Sequence, residues 1–553
     1  MARNTGLARL PIDADEIGAK LKPGLSTFHP RVRYGTSHPA EPLVLFGLTV
    51  VSLAAVVWGL SIISGRMQFQ VEEYVLLLGF YGLASAWFVI PQVKASSARL
   101  FDPPVFITLF AFLRFGLIPL YFFFHPELRA HAYLKDPELF TQSLLLVVVG
   151  MMAFWVGSAH GLRPAKMTEN TESETGQLPR AVADNRALVW AGGLYLVAIA
   201  TKLYLLRHHL YSFTQSTELF FQNLAWMQVL LVMSQFGTCA LVIAAVETYG
   251  HPHDRKRKIL FYALFASECF WGLISGMKGF LLQNFVLAGL VSSLVQRRLR
   301  LKWLVTPLVL VVLIYPFNNQ YRQVIRSEQV EITSMGDAAQ SVGLAASRSL
   351  TQLPSMSDWL GSGSEATLSR LDMLQSVAAV VHYGPVLDSI RTRGHWWMLP
   401  FYPFIPRLLW PSKPQENLGQ EFAVKQHENP NSCASISYLG DAYLEFGVVG
   451  LIACMVALGA FSAWLRRLVS CPLSKRRLFV FGCFFMIATD FEGDVFGYWT
   501  SVIRWLLILA VGSWLVYPRD SAQYVLPTPD SKPSSWSSLR PRSTYRGENL
   551  NGE

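Results

Sequence analysis

The 553-residue sequence predicts an all-α polytopic membrane protein, with about twelve transmembrane helices and one large extracytoplasmic loop. Three observations carry this prediction. The composition is 52% hydrophobic and 15% charged with a mean hydropathy of +0.32, too apolar for a soluble multidomain chain. Apolar runs long enough to cross roughly 30 Å of hydrocarbon recur along the chain. Lys and Arg concentrate in alternate loops between those runs. That placement accounts for the net charge of +10 and argues against a nucleic-acid partner. The six cysteines show no CxxC or other ligand spacing, so neither a disulfide framework nor a zinc site is expected.

Residues 1–41 are polar and basic and lack the short apolar core of a cleavable signal peptide, which predicts a cytoplasmic N-terminal tail. Spans are predicted at 42–64, 74–93, 104–124, 139–161, 187–206, 224–247, 259–275, 279–296 and 303–319, so residues 42–319 hold helices one to nine. Residues 320–445 form the long loop, and 446–517 hold three more spans at 446–465, 478–495 and 498–517. Residues 518–553, rich in Pro and Ser, read as a disordered cytoplasmic tail, and 164–185 as a flexible cytoplasmic loop.

Basic residues resist translocation, so their distribution sets orientation. One set of alternate segments, beginning with the N-terminal tail, carries 25 Lys and Arg; the short loops of the other set carry five. Both termini are therefore expected in the cytoplasm, and the long loop on the outer side. With nine basic and twelve acidic residues that loop is nearly balanced, as suits a folded cap or substrate cleft. Its length exceeds what a connector needs.

Ionisable residues within spans are costly, on the order of 2.5–3.5 kcal/mol each on insertion scales, so each is a functional candidate. Arg114 and Glu268 each lie midway along a span and are expected either to pair, as structure, or to serve function separately; Arg504 is expected either to pair with Asp490, Glu492 or Asp494, or to face an outer cavity. Lys202 and Arg207, near an outer helix end, are expected to snorkel. At the outer rim Lys278 sits in an SGMKG turn, with Arg322 and Arg326 following a later span. Flanking glycines and the positive end of the next helix suit that turn to an anion such as a diphosphate.

Further along, Arg370 and Asp372 are two apart, which on a helix points them to different faces and different partners. His382 and Tyr383 follow, expected on the same helix. No HExxH, GxSxG, P-loop or DxD motif occurs in a chemical context, so no nucleotide-sugar site is expected. Such an absence fits a donor whose leaving group is already a lipid diphosphate, available outside the cell.

Residues 396–447 are too rich in aromatic residues and prolines for a straight span, yet hold Arg407 and Lys413, and read as a segment at or dipping into the membrane surface. Pro406, Arg407, Trp410, Pro411, Lys413 and Pro414 form PRxxWPxKP; Gly419, Ser435, Ser437, Gly440, Asp441, Tyr443, Phe446 and Gly447 follow. This pattern resembles the C-terminal signature of the bacterial O-antigen or oligosaccharide repeat-unit polymerases, the Wzy-type membrane glycosyltransferases, over residues 275–450. The resemblance implies a GT-C-like helical fold in the inner membrane and an undecaprenyl-diphosphate-linked oligosaccharide substrate amid membrane lipids. It implies polymerisation into O-antigen, capsule or exopolysaccharide by inversion, without metal or other cofactor, alongside a chain-length regulator and a flippase. An O-antigen ligase and a lipid-linked oligosaccharide flippase or exporter are the alternatives.

Such chemistry needs cations for the departing diphosphate, a base for the acceptor hydroxyl, and a cleft that excludes water. Arg322, Arg370, Arg407 and Lys278 are the candidates for the first task, arginine being suited by its bidentate fork. Arg326, Lys413, His382 and Tyr443 are further substrate-binding candidates. For the base, Asp441 or Asp372 is preferred over His382 and Glu445. Family members more often carry Glu where this chain has Asp441, and a carboxylate at a helix N-terminus is its structural alternative.

Overall fold

A computed structural model describes residues 71–125 except 96, 135–161, 185–211 except 209, 224–296, 300, 302–327, 334–352, 355–384, 435–469 and 474–518 except 491, with isolated residues between 405 and 424. The expected span at 42–64, both tails and residues 164–184 lie outside the described residues. All regular structure among the described residues is helical: α1 (Val71–Ala95), α2 (Pro103–Phe124), α3 (Pro137–Gly161), α4 (Arg186–Arg207), α5 (Leu224–Ser234), α6 (Phe236–Gly250), α7 (Arg255–Ile274), α8 (Lys278–Gln296), α9 (Lys302–Ser327), α10 (Met335–Gln352), α11 (Met356–Leu371), α12 (Leu374–Tyr383), α13 (Tyr438–Val469), α14 (Lys475–Ala488) and α15 (Val495–Val516). Among them are eight helices long and apolar enough to cross a membrane, within α1, α2, α3, α4, α5–α6, α8, α13 and α15.

Four expected spans differ in detail. The 224–247 run is two helices that meet at Gln235. The 303–319 run continues to Ser327, and the 446–465 run starts earlier, at Tyr438. The helix expected at 478–495 stops at Ala488, because residues 489–494, TDFEGD, place three carboxylates where a helix would have to bury them. Inside α13 the chain kinks at Gly447, with φ 65° and ψ −156°. No atom lies within 4 Å of where a Cβ would stand there, so the glycine serves backbone conformation rather than space.

The expected outer loop is helical over much of its described length and folds against the bundle. Pro316 inside α9 has no N–H to give the Val312 carbonyl. α11 packs against this stretch: Trp359 Nε1 donates to the Leu313 carbonyl at 2.7 Å, and Gly363 packs so close to the Val312 carbonyl that no side chain would fit.

α3 and α13 form the tightest seam. Gly157 and Gly459 face each other across it, and a Cβ on either would collide with the other helix's backbone. Ser158 Oγ donates to the Gly459 carbonyl at 3.3 Å. α1, α2 and α12 pack around this seam, while α6 is surrounded by α4, α7, α8 and α14. At one end of the bundle Arg466 pairs with Asp102 at 3.1 Å, and Glu247 gathers Arg257 and Lys475. These residues all belong to the Lys- and Arg-rich set of loops.

Candidate functional site at the acidic turn

The opposite end of α14 carries the turn 489–494, and the site grows from it. Arg114 lies midway along α2, where the helix widens into a π-turn over Leu113–Leu117. Such insertions are frequent at functional sites because they re-aim a side chain without ending the helix. Although only 3% exposed, Arg114 is well partnered. Its Nη2 donates to Glu492 Oε1 at 2.6 Å, its Nε donates to the Leu371 carbonyl at 3.4 Å, and its guanidinium lies 5.1 Å from the centre of the Phe110 ring. Its own carbonyl accepts from Met373 N at 3.2 Å. The short 372–373 link between α11 and α12 is thus docked on the π-turn.

The second oxygen of Glu492 takes a second arginine: Arg370 Nη2 donates to Oε2 at 3.3 Å. The Glu492 backbone is fixed from both sides, its N donating to Asp490 Oδ1 at 3.0 Å and its carbonyl accepting from Ser435 Oγ at 2.6 Å. Asp494 caps α15 through Gly497 N, and Asp441 Oδ2 accepts from Val495 N at 2.8 Å. Asp441 therefore lies in the first turn of its own helix α13, as its structural alternative had it, and its carboxylate also serves the N-terminus of a second helix, α15. Asp372 Oδ1 accepts from Leu374 N at 3.1 Å and Gln375 N at 3.4 Å, capping α12.

Ser437, which caps α13 by accepting from Gly440 N at 3.1 Å, holds φ at 65°. A fully buried non-glycine residue in that region is strained and persists only where its surroundings dictate it. It lies two residues from Ser435 and four from Asp441, within the segment that supports the acidic turn.

The structure brings together three expected site residues, Arg370, Asp372 and Asp441, around the 489–494 turn. Arg370 and Asp372 do serve separate partners, because the helix breaks between them. That same break corrects the single helix expected to run on to His382 and Tyr383: Asp372 ends one helix and caps the next. His382 is exposed, edge-on to Tyr383, and Tyr443 packs partly buried against apolar neighbours. Glu445 is buried. Arg322 donates to the Gly276 carbonyl at 3.0 and 2.8 Å, which joins the α7–α8 turn to α9. Lys278 begins α8 and Arg326 falls in the last turn of α9; their side chains, like Arg407 and Lys413 altogether, lie outside the described residues.

Two expected charge placements are corrected, and one of the two alternatives for Arg504 drops out. Arg114 does not meet Glu268; it reaches Glu492, while Glu268 binds Lys202 Nζ at 2.6 Å. Lys202 does not snorkel: it is buried, with Trp271 5.8 Å away, because a carboxylate is available within the bundle. Arg504 has no carboxylate partner among the described residues, the turn's Glu492 being occupied by Arg114 and Arg370. The pairing of Arg114 with the turn was missed because they are 378 residues apart in sequence. The available signal was an intramembrane arginine together with a run of three carboxylates in six residues. Among the described residues no three of His, Cys, Asp or Glu converge as a metal site.

No curated protein and no solved structure matches the chain. A family model matches residues 195–471, a stretch that contains Lys278, Arg322, Arg370, Asp372 and Asp441 and leaves Arg114 and Glu492 on either side. The chain belongs to the family described as a domain of unknown function, DUF8712.

Proposed function

We propose that this protein is a membrane glycosyltransferase that polymerises undecaprenyl-diphosphate-linked oligosaccharide units into a surface polysaccharide. In this reading it is a GT-C-like inner-membrane protein of twelve spans. Both termini are cytoplasmic, and the acidic turn and helices α10–α12 face the periplasm. The observation that carries the reading is a buried arginine, Arg114, gathered with the exposed Arg370 onto one carboxylate beside Asp441. An exposed guanidinium at a membrane rim, Arg370, steered by the carboxylate that Arg114 holds, suits a lipid diphosphate leaving group, because it can bind phosphate oxygens bidentately and stays charged. Asp441 is the base in this reading, and Arg322 with Lys278 a second basic group along the same rim.

Purified protein supplied with a synthetic undecaprenyl-diphosphate oligosaccharide should produce a ladder of longer glycans. Asp441→Asn keeps an oxygen for Val495 N but cannot take a proton, so elongation should fall by about 10²–10⁴, the usual loss with a general base. Full elongation by Asp441→Asn would move the base to Asp372. Transfer only to a non-identical acceptor would indicate a ligase, and movement of the lipid without new glycosidic bonds a flippase. Orientation is tested separately: a cysteine at Ser364 should react with a membrane-impermeant thiol reagent in spheroplasts, and one at Glu174 should not.

A further inference from the structure

One carboxylate serves two arginines at the acidic turn, and the two bonds are unequal. Arg114 is 3% exposed and holds Glu492 Oε1 at 2.6 Å, whereas the Arg370 side chain is 61% exposed and holds Oε2 at 3.3 Å. The Arg114 bond is shielded from water and its guanidinium is also tied to the Leu371 carbonyl. The Arg370 bond is solvent-washed, the kind that contributes little to stability and is remade easily. Glu492 itself cannot follow Arg370, because its N–H and carbonyl are anchored by Asp490 and Ser435.

We propose that Glu492 is a positioning residue that keeps Arg114 throughout and holds Arg370 only until an anionic diphosphate ester takes its place on that guanidinium. This rests on the glycosyltransferase reading for the identity of the ligand, not for the exchange itself. While no ligand is bound, the carboxylate keeps Arg370 pointed at the site and partly neutralised. When the diphosphate arrives, Arg370 turns to it, and the fixed Glu492 charge then opposes the bound anion. Such opposition favours release of the leaving group after transfer, which a site made only of cations would hold too tightly. Asp490, Asp494 and Asp441 surround the same turn and add to that opposition. Arg370 supplies the attraction, because Arg114 stays on Glu492.

The sign of the effect separates exchange from simple scaffolding. Binding of farnesyl diphosphate to the purified full chain in detergent is measured by ligand-induced thermal stabilisation, and glycan elongation is measured in parallel. Arg370→Ala should lose about tenfold in affinity, one charge-assisted contact, at unchanged intrinsic melting temperature. Because Glu492→Gln alone strands buried Arg114, the informative variant is Arg114→Met with Glu492→Gln, which removes the buried pair together. It should bind farnesyl diphosphate about as tightly as the native chain or up to about tenfold more tightly, while multiple-turnover elongation drops, since a repelling charge is gone. If that double variant binds at least tenfold more weakly, or Arg370→Ala binds normally, the exchange is overturned. Should the native chain bind farnesyl diphosphate yet elongate no glycan, the polymerase reading fails while the exchange stands on the binding data alone.

Discussion

Two carboxylates at opposite ends of the bundle each bind two cations, and their surroundings give them different roles. Glu247 is buried against Arg257 and Lys475, the latter at 2.8 Å, with the Tyr517 hydroxyl 3.5 Å from Oε1. It ties the end of α6 to the starts of α7 and α14 and to the residue after α15. Glu492 has the same ratio of charges but sits on a turn, 40% exposed, with one arginine buried and the other in solvent. A dry, closed carboxylate is bound to its partners by the cost of leaving them unpaired. A half-open one can trade a partner, which makes the acidic turn a candidate for chemistry and the basic end a clasp.

Glu247→Gln tests the clasp and should show the largest effect. Removing one member of a buried charge group typically costs about 3–5 kcal/mol, so the variant should melt well below the native protein in detergent and yield little material from membranes. Native-like melting would erase the contrast between the two ends. Next comes Gly447→Ala, at the kink that carries Asp441 towards the turn. With empty space around it the substitution should cost about 1–3 kcal/mol through backbone strain alone, and should weaken diphosphate binding as the short helix before the kink re-aims.

Arg370→Ala should change stability by no more than about 1 kcal/mol, being an exposed ion pair, and a large drop in melting temperature would assign it to scaffolding instead. The smallest effect is expected at His251, beside the clasp. Burial first, then the Arg257 and Lys475 charges, hold its imidazole below the ordinary value of 6.5. The unfolded chain therefore binds a proton more readily there, so stability should decline as pH falls below about 6.5. His251→Gln should flatten that decline in melting curves recorded between pH 7 and 5, and an unchanged slope would show that other groups set it.

Much of this protein was determined by sequence alone. Long apolar runs left no alternative to helices, since backbone groups in hydrocarbon must be satisfied within the segment. Arg370, Asp372 and Asp441 were legible as candidates because charged residues beside apolar runs are few. What only the tertiary structure decided is which charges share a carboxylate. Arg114 could have been matched with Glu268 by depth, yet it faces the turn before α15, and Lys202 takes Glu268. Depth along a helix follows from counting residues, but the direction in which a side chain points depends on how helices rotate and pack, and on local insertions such as the π-turn at Leu113–Leu117. The early end of α14 and the folding of α10–α12 against the bundle have the same origin. They depend on carboxylates, the Leu313 carbonyl and a glycine finding partners far away in sequence, which periodicity within any one segment does not encode.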